Sequence, residues 1–571
     1  MADEIVSGQT AAEGFLTALH ACGVRHVLAN GGTDFAPIIE SILRLQAAGR
    51  AIPHFVTVPH ENVAIAMAQG YAKTCGTPAA VMVHVNVGTA NTICGLMNAA
   101  RDNVPLLLAA GRTPLTESGH AGSRDVPIHW AQENFDQAAI VREHVKWDYE
   151  LRAGQPVATL VARALDIAMS EPQGPVYLSL PREVLGDTPA DFGPLPRPRP
   201  LGAAAAVPSA QAIDSAADLI AGAEMPLIIA GKSGRLAGAF AALGTLAMDC
   251  ALPVVSGPAL NIASDHPMNL GFVNGALLAS ADVIVVLDSP VPWMPSFIQP
   301  TGKAKFIHIA HDPFYADYPF RGFQTDLAIA GDPAAALVLL RDALKSKQRA
   351  SQASVDQRRR KIIDMRRQID EKRAAFLAEA ASMQPMHPAW VAHALNQVKA
   401  ADAIIVEELG AAFPFLDLKQ PGTFISGTSG ALGLGLGQAL GAKLAAPDRQ
   451  VIATVGDGSY MFGVPSAAHF VGCAEKLPVL TMVLNNSQWG AVRRATLAMY
   501  PHGLAAKANS LPVVDLTPSP DYEKVTEAFG GYGERVEDPQ KLAPAIERAL
   551  NKVAAGTQVT LNVITRARDS L

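Results

Sequence analysis

Short apolar runs alternate with longer amphipathic segments along nearly the whole chain, and this alternation restricts the possible folds more than any other feature. Clear runs cover residues 24–29, 79–83, 105–110, 226–230, 283–287, 451–455 and 478–484. Several are rich in β-branched residues, as is typical of parallel strands that helices cover on both faces. The pattern therefore predicts an α/β protein built from doubly wound parallel sheets.

Two stretches interrupt the alternation and divide the chain. Residues 189–208 are rich in proline and alanine, which favours an extended linker. Residues 345–381 are dense in charges of both signs, which favours a solvated helix between domains over a nucleic-acid patch. In a chain of 571 residues, these breaks predict three consecutive doubly wound domains at residues 1–190, 208–345 and 382–571.

Composition excludes several classes of function. The chain is 49% hydrophobic and 17% charged, as a globular protein is, and its net charge of −6 creates no general field for nucleic acid or anionic lipid. No basic flank with an apolar stretch opens the sequence and no run of 18 apolar residues occurs, so we expect a cytoplasmic protein. The five scattered cysteines are expected to be buried free thiols.

Polar clusters follow two of the predicted strands. Gly-Asp-Gly stands at residues 456–458, and after 26 intervening residues Asn-Asn stands at 485–486. Carboxyl ends of neighbouring strands meet at one edge of an open α/β sheet, where ligands bind. The glycines allow a ligand close to the backbone, while Asp457 and Asn486 offer the oxygens that Mg²⁺ prefers. The alternative is that the two motifs are ordinary turns without a ligand. A nucleotide-binding enzyme is less well supported, because neither a complete P-loop nor a G-x-G-x-x-G motif is present.

The pair of motifs resembles the thiamine diphosphate motif, which runs from Gly-Asp-Gly to Asn-Asn over a similar distance. The resemblance implies that Asp457, Asn486 and the Gln488 carbonyl bind Mg²⁺. It also implies that Leu432 wedges under the cofactor and that the Gly430 carbonyl accepts its amino group. The remaining residues that we expect to contact the cofactor are Gly410, Ala411, Gly458, Ser459, Trp489 and Gly490.

Glu61 is the candidate for activating that cofactor. Residues 55–72 match the family element in which a glutamate at a helix start protonates the pyrimidine ring and so generates the ylid. Taken alone, Glu61 could simply favour the helix dipole as a first-turn carboxylate. The resemblance further implies that Glu61 acts across a subunit interface, so that the smallest competent unit is a homodimer, and a homotetramer is expected.

The resemblance covers essentially the whole chain, in the order pyrimidine-binding, central and diphosphate-binding domain, and this order does not name the reaction. His84 and Thr33 lie in segments that resemble benzoylformate decarboxylase, whose second histidine has no counterpart near Trp293. Gln132 lies in a segment closer to acetolactate synthase and benzaldehyde lyase. His84 and Gln132 are therefore predicted to handle protons and Thr33 to contact the substrate, while His60 is either a further candidate or a structural contact.

The predicted activity is that of a thiamine diphosphate- and Mg²⁺-dependent lyase or carboligase. Its small-molecule substrate would be a 2-oxo acid or a 2-hydroxy ketone, which reacts through an enamine intermediate. The alternatives are a 2-hydroxyacyl-CoA or oxalyl-CoA type lyase, whose central domain holds the nucleotide, and a catalytically silent cofactor-binding homologue. FAD in the central domain, near residues 231–235, is possible but not favoured.

Overall fold

The computed structural model describes residues 10–186, 193–257, 259–348, 352–427, 430–508 and 510–566. Three separate parallel sheets organise them, as the alternation of apolar runs predicts. Both ends of the chain lie outside the described residues. So do residues 189–192, which are part of the predicted linker. The rest of that linker, from residue 193 to residue 208, forms neither helix nor strand, as expected for an extended connection.

The first sheet has six strands in the order β2-β1-β3-β4-β6-β5. Its strands are β1 (His26–Ala29), β2 (His54–Thr57), β3 (Ala80–Val83), β4 (Leu107–Arg112), β5 (Asp148–Glu150) and β6 (Val176–Pro181). Its helices are α1 (Ala11–Ala21), α2 (Ala36–Ala47), α3 (Glu61–Cys75), α4 (Val85–Asn91), α5 (Ile93–Arg101), α6 (Ile128–Ala131), α7 (Val157–Met169) and α8 (Arg182–Gly186). The predicted strands at 24–29, 79–83 and 105–110 are thus confirmed to within two residues at each end.

The central sheet has five strands in the order β11-β10-β9-β7-β8. Its strands are β7 (Pro226–Ala230), β8 (Val254–Ser256), β9 (Val283–Leu287), β10 (Lys305–Ala310) and β11 (Leu327–Ala330). Its helices are α9 (Ala210–Ala221), α10 (Ala239–Cys250), α11 (Gly275–Ser280) and α12 (Pro333–Gln348), and the long helix α13 (Gln352–Ala380) leads to the third sheet.

The third sheet has six strands in the order β13-β12-β14-β15-β17-β16. Its strands are β12 (Ile404–Glu408), β13 (Phe424–Ser426), β14 (Val451–Gly456), β15 (Leu480–Asn485), β16 (Tyr532–Val536) and β17 (Val559–Ile564). Its helices are α14 (Pro388–Val398), α15 (Gly435–Ala445), α16 (Asp457–Phe462), α17 (Pro465–Ala474), α18 (Gly490–Met499), α19 (Leu504–Lys507), α20 (Tyr522–Glu527) and α21 (Pro539–Ala554). Counted within each domain, the first and third sheets have the same strand order, 2-1-3-4-6-5.

Helices α3 and α15 join the first and third domains of one chain. Buried residues of both domains form a single apolar cluster around them. The helices approach closely because glycines stand at their contact: a Cβ on Gly441 would lie 1.9 Å from the Met67 carbonyl oxygen, and one on Gly70 would lie 2.0 Å from that of Gln438. Since α3 begins at Glu61 and α15 follows the loop that carries Leu432, this contact fixes two predicted site segments relative to each other.

Helix α13 differs in one respect from the solvated helix predicted at residues 345–381. It links the central and third domains and most of its charges are exposed, as expected, but Arg358 is buried. Its guanidinium donates to the carbonyl oxygens of Ala251 and Cys250 at 2.9 and 3.0 Å. These carbonyls lie at the C-terminal end of α10, where unpaired acceptors and the helix dipole favour a cation. Arg358 therefore anchors the linking helix to the central domain.

The cysteine prediction is right in one respect and wrong in another. All five cysteines are unpaired, as expected. Cys250 is buried, but Cys75, Cys94 and Cys473 are exposed. These three residues occupy exposed positions of α3, α5 and α17, and the apolar character of cysteine does not reveal which face of a helix a residue occupies.

Candidate functional site

Asp457 and Asn486 lie side by side at the carboxyl edge of the third sheet. Asp457 is the first residue of α16, directly after β14, and Asn486 directly follows the neighbouring strand β15. The two strands pair in parallel, with Gly456 opposite Leu484, so their ends are level. Backbone N–H groups of Asn486 and Ser487 also act on the Asp457 carboxylate. The sequence prediction that the two polar motifs meet is therefore confirmed by the geometry.

The Asp457 carboxylate is buried and incompletely paired. Asp457 is only 2% exposed. Its Oδ1 accepts from the Gly458 N–H at 2.9 Å, while its Oδ2 has no hydrogen-bond partner. Burial raises the pKa of Asp457 to about 6, against the lowering effect of nearby N–H groups. A buried carboxylate oxygen without a donor is costly unless a cation or donor meets it. The residue thus fits a bound Mg²⁺.

The donor set also fits Mg²⁺ better than a softer metal. Within the described residues, no group of three or more His, Cys, Asp or Glu side chains could hold a metal ion. One carboxylate with amide and carbonyl oxygens is instead the type of set that Mg²⁺ completes with phosphate and water. The Asn486 Oδ1 accepts from the Gln488 N–H at 3.1 Å, and the Gln488 carbonyl accepts from the Gly490 N–H at 2.9 Å. These bonds hold the turn in shape.

Trp489 packs over Gly458, which explains the need for glycine at that position. A Cβ on Gly458 would lie 2.2 Å from the indole ring, so no larger side chain fits beneath it. On its other side the indole meets Phe462 edge-on, with ring centroids 5.8 Å apart. Ser459 is buried within α16. Trp489 therefore closes the glycine turn, and contact with a cofactor stays a prediction for both residues.

Gly410 and Ala411 present only backbone to a ligand. A Cβ on Gly410 would lie 2.3 Å from the backbone of Thr454 in β14, so this glycine serves close packing against the sheet. Ala411 is fully buried in the core of the third domain. Both residues follow β12 at the carboxyl edge of the sheet, near the Asp457 side. Their predicted cofactor contacts could come only through N–H or C=O groups.

Leu432 and Gly430 border a cavity of about 420 Å³ between the first and third domains. A side chain on Gly430 would meet nothing within 4 Å, so this backbone is open to a ligand. The loop is fixed from below, because the Glu408 carboxylate accepts from the N–H groups of Gly433 and Gly435 at 2.6 and 2.7 Å. Burial raises the pKa of Glu408. The neighbouring residues 428 and 429 lie outside the described residues.

Sequence reasoning missed Glu408 as a support of this loop. It is the last residue of β12, and nothing in its local pattern distinguishes it from other strand ends. His60, in contrast, was considered, and its Nδ1 accepts from the Asn62 N–H at 3.2 Å. It is therefore the N-cap of α3, the structural alternative. Its ring also borders the cavity beside Leu432.

Glu61 occupies the first turn of α3 and is nearly buried. Its Oε2 accepts from the Asn91 side-chain amide at 3.1 Å. A Cβ on Gly88 would lie 3.3 Å from Oε1, so the middle of α4 passes close to the carboxylate. Next to Glu61, the Asn62 amide donates to the Gly433 carbonyl at 3.2 Å and ties α3 to the Leu432 loop. The carboxylate is thus held at the boundary between the two domains.

His84, Gln132 and Thr33 gather near Glu61 at the carboxyl edge of the first sheet. His84 directly follows β3, and its Nε2 lies 3.4 Å from the Gln132 amide nitrogen. Thr33 is exposed and borders the same small void as His84 and Gln132. The Glu61 charge contributes to raising the pKa of His84. The structure therefore brings together all four residues that the sequence predicted to be catalytic.

Asp34 is the residue in this cluster that sequence reasoning did not find. Its Oδ1 lies 2.5 Å from His84 Nδ1, and it is buried at 3% exposure. Asp34 and His84 are 50 residues apart, and only the pairing of β1 with β3 brings them together. The sequence instead singles out the adjacent Thr33, which resembles a substrate-contacting serine.

The central-domain glycines do not form an open phosphate cradle. A Cβ on Gly231 would lie 2.2 Å from the Asp288 carbonyl oxygen, and one on Gly234 would lie 2.0 Å from that of Leu260. Protein backbone therefore occupies the space that a diphosphate would need. A cavity of about 520 Å³ does lie nearby, between the first and central domains. It borders three buried polar atoms without a hydrogen-bond partner: Asp288 Oδ2, His311 Nε2 and Tyr315 Oη.

The fold and the site together define a class of enzyme with three parallel-sheet domains. The first domain carries the cluster of Glu61 and His84, and the third carries the pair of Asp457 and Asn486. Sequence comparison identifies the thiamine pyrophosphate enzyme N-terminal TPP binding domain at residues 9–140, the central domain at 213–340 and the C-terminal TPP binding domain at 409–561. The chain therefore belongs to the thiamine pyrophosphate enzymes.

Individual relatives differ in their activities. The chain is 27% identical to the acetolactate synthase large subunit of Mycobacterium tuberculosis, over 89% of this chain and 88% of that one. It is 26% identical to benzoylformate decarboxylase of Pseudomonas aeruginosa, over 89% and 91%. The thiamine diphosphate-dependent 4-hydroxybenzoylformate decarboxylase of Rhodococcus jostii has the same fold, with a TM-score of 0.78, 23% identity and coverage of 98% and 100%. In the part of the chain that the structure describes, no helix has the length and apolar character to cross a membrane.

Proposed function

We propose that the protein is a thiamine diphosphate- and Mg²⁺-dependent lyase or carboligase that acts on a 2-oxo acid or a 2-hydroxy ketone. The observation that carries the proposal is the buried Asp457 carboxylate, with one oxygen unpaired, beside Asn486 at the edge of the third sheet. When bound, thiamine diphosphate supplies a nucleophilic carbon and an electron sink. Asp457, Asn486 and the Gln488 carbonyl would hold Mg²⁺, and the open Gly430 backbone and Leu432 would position the cofactor.

The first domain supplies the groups that move protons. Glu61 would share its proton with the cofactor pyrimidine, and the Asn91 amide on Oε2 keeps its carboxylate in one orientation. His84 stands nearby with its pKa raised, chiefly by the hydrogen bond that it donates to Asp34. A group of this kind can protonate a carbon or oxygen near neutral pH. Gln132 faces the same ring and would orient it toward the substrate, which Thr33 would contact.

Two substitutions test these roles separately. Glu61→Gln should retain cofactor binding in calorimetry while turnover falls by several orders of magnitude, because the amide cannot exchange the proton. Asp457→Ala should lose Mg²⁺-dependent cofactor binding itself. Wild-type turnover in Glu61→Gln, or unchanged cofactor affinity in Asp457→Ala, would refute the corresponding assignment. A screen of pyruvate, benzoylformate, benzoin-type ketones and 2-hydroxyacyl-CoA, with mass spectrometry of products, would identify the substrate.

We further propose that the active site forms between two subunits of at least a homodimer, with a homotetramer as the expected assembly. Glu61 belongs to the first domain and Asp457 to the third, and the described contacts of the Glu61 carboxylate all come from its own domain. Large apolar side chains are exposed on segments near the site, as is typical of protein–protein interfaces in an isolated subunit. They include Val87, Phe135, Phe462, Met499 and Leu504.

Hybrid dimers distinguish a shared site from a site within one chain. When Glu61→Gln and Asp457→Ala chains are co-expressed with different tags, a shared site gives each hybrid dimer one doubly defective and one intact site. Purified hybrids should then regain about half of the wild-type activity per dimer. If one chain supplies both residues, every site keeps one defect and no activity returns. Light scattering would give the oligomeric state.

One observation favours an alternative in which the central domain holds a nucleotide, as in a 2-hydroxyacyl-CoA or oxalyl-CoA type lyase. The cavity of about 520 Å³ borders the buried atoms Asp288 Oδ2 and Tyr315 Oη, neither of which has a hydrogen-bond partner. Arg235 pairs with Asp288 only loosely, at 3.7 Å. Calorimetry with ADP, coenzyme A and FAD would test it. Binding of none of them would leave the central domain as a scaffold, the reading that the filled glycine positions support.

A cytoplasmic location completes the proposal. All five cysteines are unpaired, and three of them are exposed. Exposed free thiols suit a reducing compartment, since an oxidising one would modify or pair them. Fractionation of cells that express the tagged protein would test the location, and recovery with membranes or outside the cell would contradict it.

A further inference from the structure

Asp34 and His84 form a buried pair at the carboxyl edge of the first sheet. Asp34 lies in a single 3-10 turn after β1, and His84 directly follows the neighbouring strand β3. One carboxylate oxygen, Oδ1, lies 2.5 Å from His84 Nδ1, and the other accepts from the Val85 N–H at 3.3 Å. A carboxylate can only accept, so the Nδ1 atom must carry its hydrogen. The pair therefore fixes one of the two ring nitrogens.

Two glycines make room for this pair. A Cβ on Gly32 would lie 2.1 Å from His84 Nδ1, and a Cβ on Gly111 would lie 1.7 Å from Asp34 Oδ2. Neither glycine has a positive φ, so close approach rather than backbone conformation requires glycine here. Gly32 and Gly111 come from different segments, after β1 and within β4. Three separate parts of the domain thus converge on one Asp–His contact.

The other ring nitrogen faces the predicted reaction site. His84 Nε2 lies 3.4 Å from the Gln132 amide, and the ring is about one-fifth exposed, whereas Asp34 is buried. The hydrogen bond that His84 donates to Asp34 is the largest cause of the raised His84 pKa, and the charges of Asp34 and Glu61 add to it. Arg112, His129 and Arg182 also border this small void. Only Nε2 is therefore free to gain or lose a proton toward a substrate.

We propose that Asp34 is the positioning residue for His84: it holds Nδ1–H, so that His84 donates and recovers the substrate proton only at Nε2. In that step the Nε2–H bond breaks, a C–H or O–H bond forms on the substrate, and the electron pair stays on Nε2. Asp34 remains ionised and keeps its hydrogen bond throughout, as the aspartate of a Ser-His-Asp triad does. This inference rests on the proposed function, in which His84 handles the substrate proton.

The titration of His84 tests the pair without any turnover. Diethylpyrocarbonate modifies neutral imidazole, so its reaction rate with His84, followed by peptide mass spectrometry across pH, reports the midpoint of titration. In the wild-type protein we expect a midpoint above about 6.5, the pKa of an unperturbed histidine. A wild-type midpoint below 6.5 overturns the inference even if no variant folds.

The isosteric variant Asp34→Asn gives the second test. Its midpoint for His84 should fall by at least about one pH unit, because the amide cannot stabilise the imidazolium as a carboxylate does. His266 of the central domain, which accepts from the Met268 N–H and does not contact Asp34, is the internal control and should keep its midpoint. An unchanged His84 midpoint in a folded Asp34→Asn protein would contradict the proposed pairing.

Turnover then separates positioning from a merely structural role. Asp34→Asn should lower kcat by about 10²- to 10⁴-fold, by analogy with removal of a histidine-orienting aspartate. Asp34→Asn combined with His84→Gln should be no slower than His84→Gln alone, since Asp34 acts through His84. Multiplying losses would overturn the inference. Full turnover in His84→Gln would overturn it too, whereas the Glu61→Gln and Asp457→Ala results would still stand or fall independently.

Discussion

The glycine contact between α3 and α15 provides a sharp test of how this chain is assembled, through the substitution Gly441→Ala. The added Cβ would lie 1.9 Å from the Met67 carbonyl oxygen and 2.8 Å from the Tyr71 nitrogen, both backbone atoms that cannot rotate away. An ordinary C···O contact is about 3.3 Å, so the two helices would have to separate by more than about 1 Å. Overpacking of this kind costs about 1–3 kcal/mol.

Gly244→Ala is the matched control. Gly244 also lies inside a helix, α10, but a Cβ there would meet only the His266 ring at 3.7 Å, an ordinary contact. Replacing a helical glycine by alanine stabilises by up to about 1 kcal/mol when there is room. The control should therefore raise the thermal midpoint slightly, whereas Gly441→Ala should lower it by roughly 2–12 °C, at roughly 2–4 °C per kcal/mol.

Circular dichroism at a fixed heating rate measures both variants, because unfolding of a three-domain chain need not be two-state or reversible. Calorimetry should also show weaker cofactor binding in Gly441→Ala, since the contact fixes the start of α3 relative to the Leu432 loop. If Gly441→Ala and Gly244→Ala raise the midpoint equally, the close helix contact does not exist in solution and the reasoning fails.

Three further predictions concern other parts of the chain. Burial lowers the pKa of His308 to about 4, so stability should fall as pH drops from about 6.5 to 4, where the unfolded chain gains a proton and the folded one does not. His308→Gln should remove part of that loss, roughly 2 kcal/mol at most between pH 7 and pH 5, in urea unfolding at those two pH values; an unchanged pH dependence would contradict this. Glu408→Gln should weaken cofactor binding severalfold in calorimetry, because its amide group would face the Gly433 or Gly435 N–H without accepting from it. Chelation by EDTA should release the cofactor and lower the thermal midpoint of wild type but not of Asp457→Ala, and equal shifts in both would argue against the metal site.

Much of the fold follows from local pattern. The predicted strands at 226–230 and 283–287 have the observed bounds, because buried parallel strands must be continuous apolar runs. The Gly-Asp-Gly and Asn-Asn motifs also meet as expected, since consecutive strands of an open sheet end at one edge. Burial of a charged residue does not follow from local pattern. By sequence Arg358 belongs to a solvated, charged helix, and only the packing of that helix against the end of α10 buries it.

The sequence by itself determined the three α/β domains, the family and the positions of Glu61, His84, Asp457 and Asn486, because each is encoded in a short contiguous motif. Only the tertiary structure revealed Asp34 beside His84, Glu408 under the Leu432 loop, and the glycine contact that joins the first and third domains. These pairings connect residues that are far apart in the chain. Hydrogen bonds and close approach depend on distance in space, which sheet topology and helix packing set and local sequence does not.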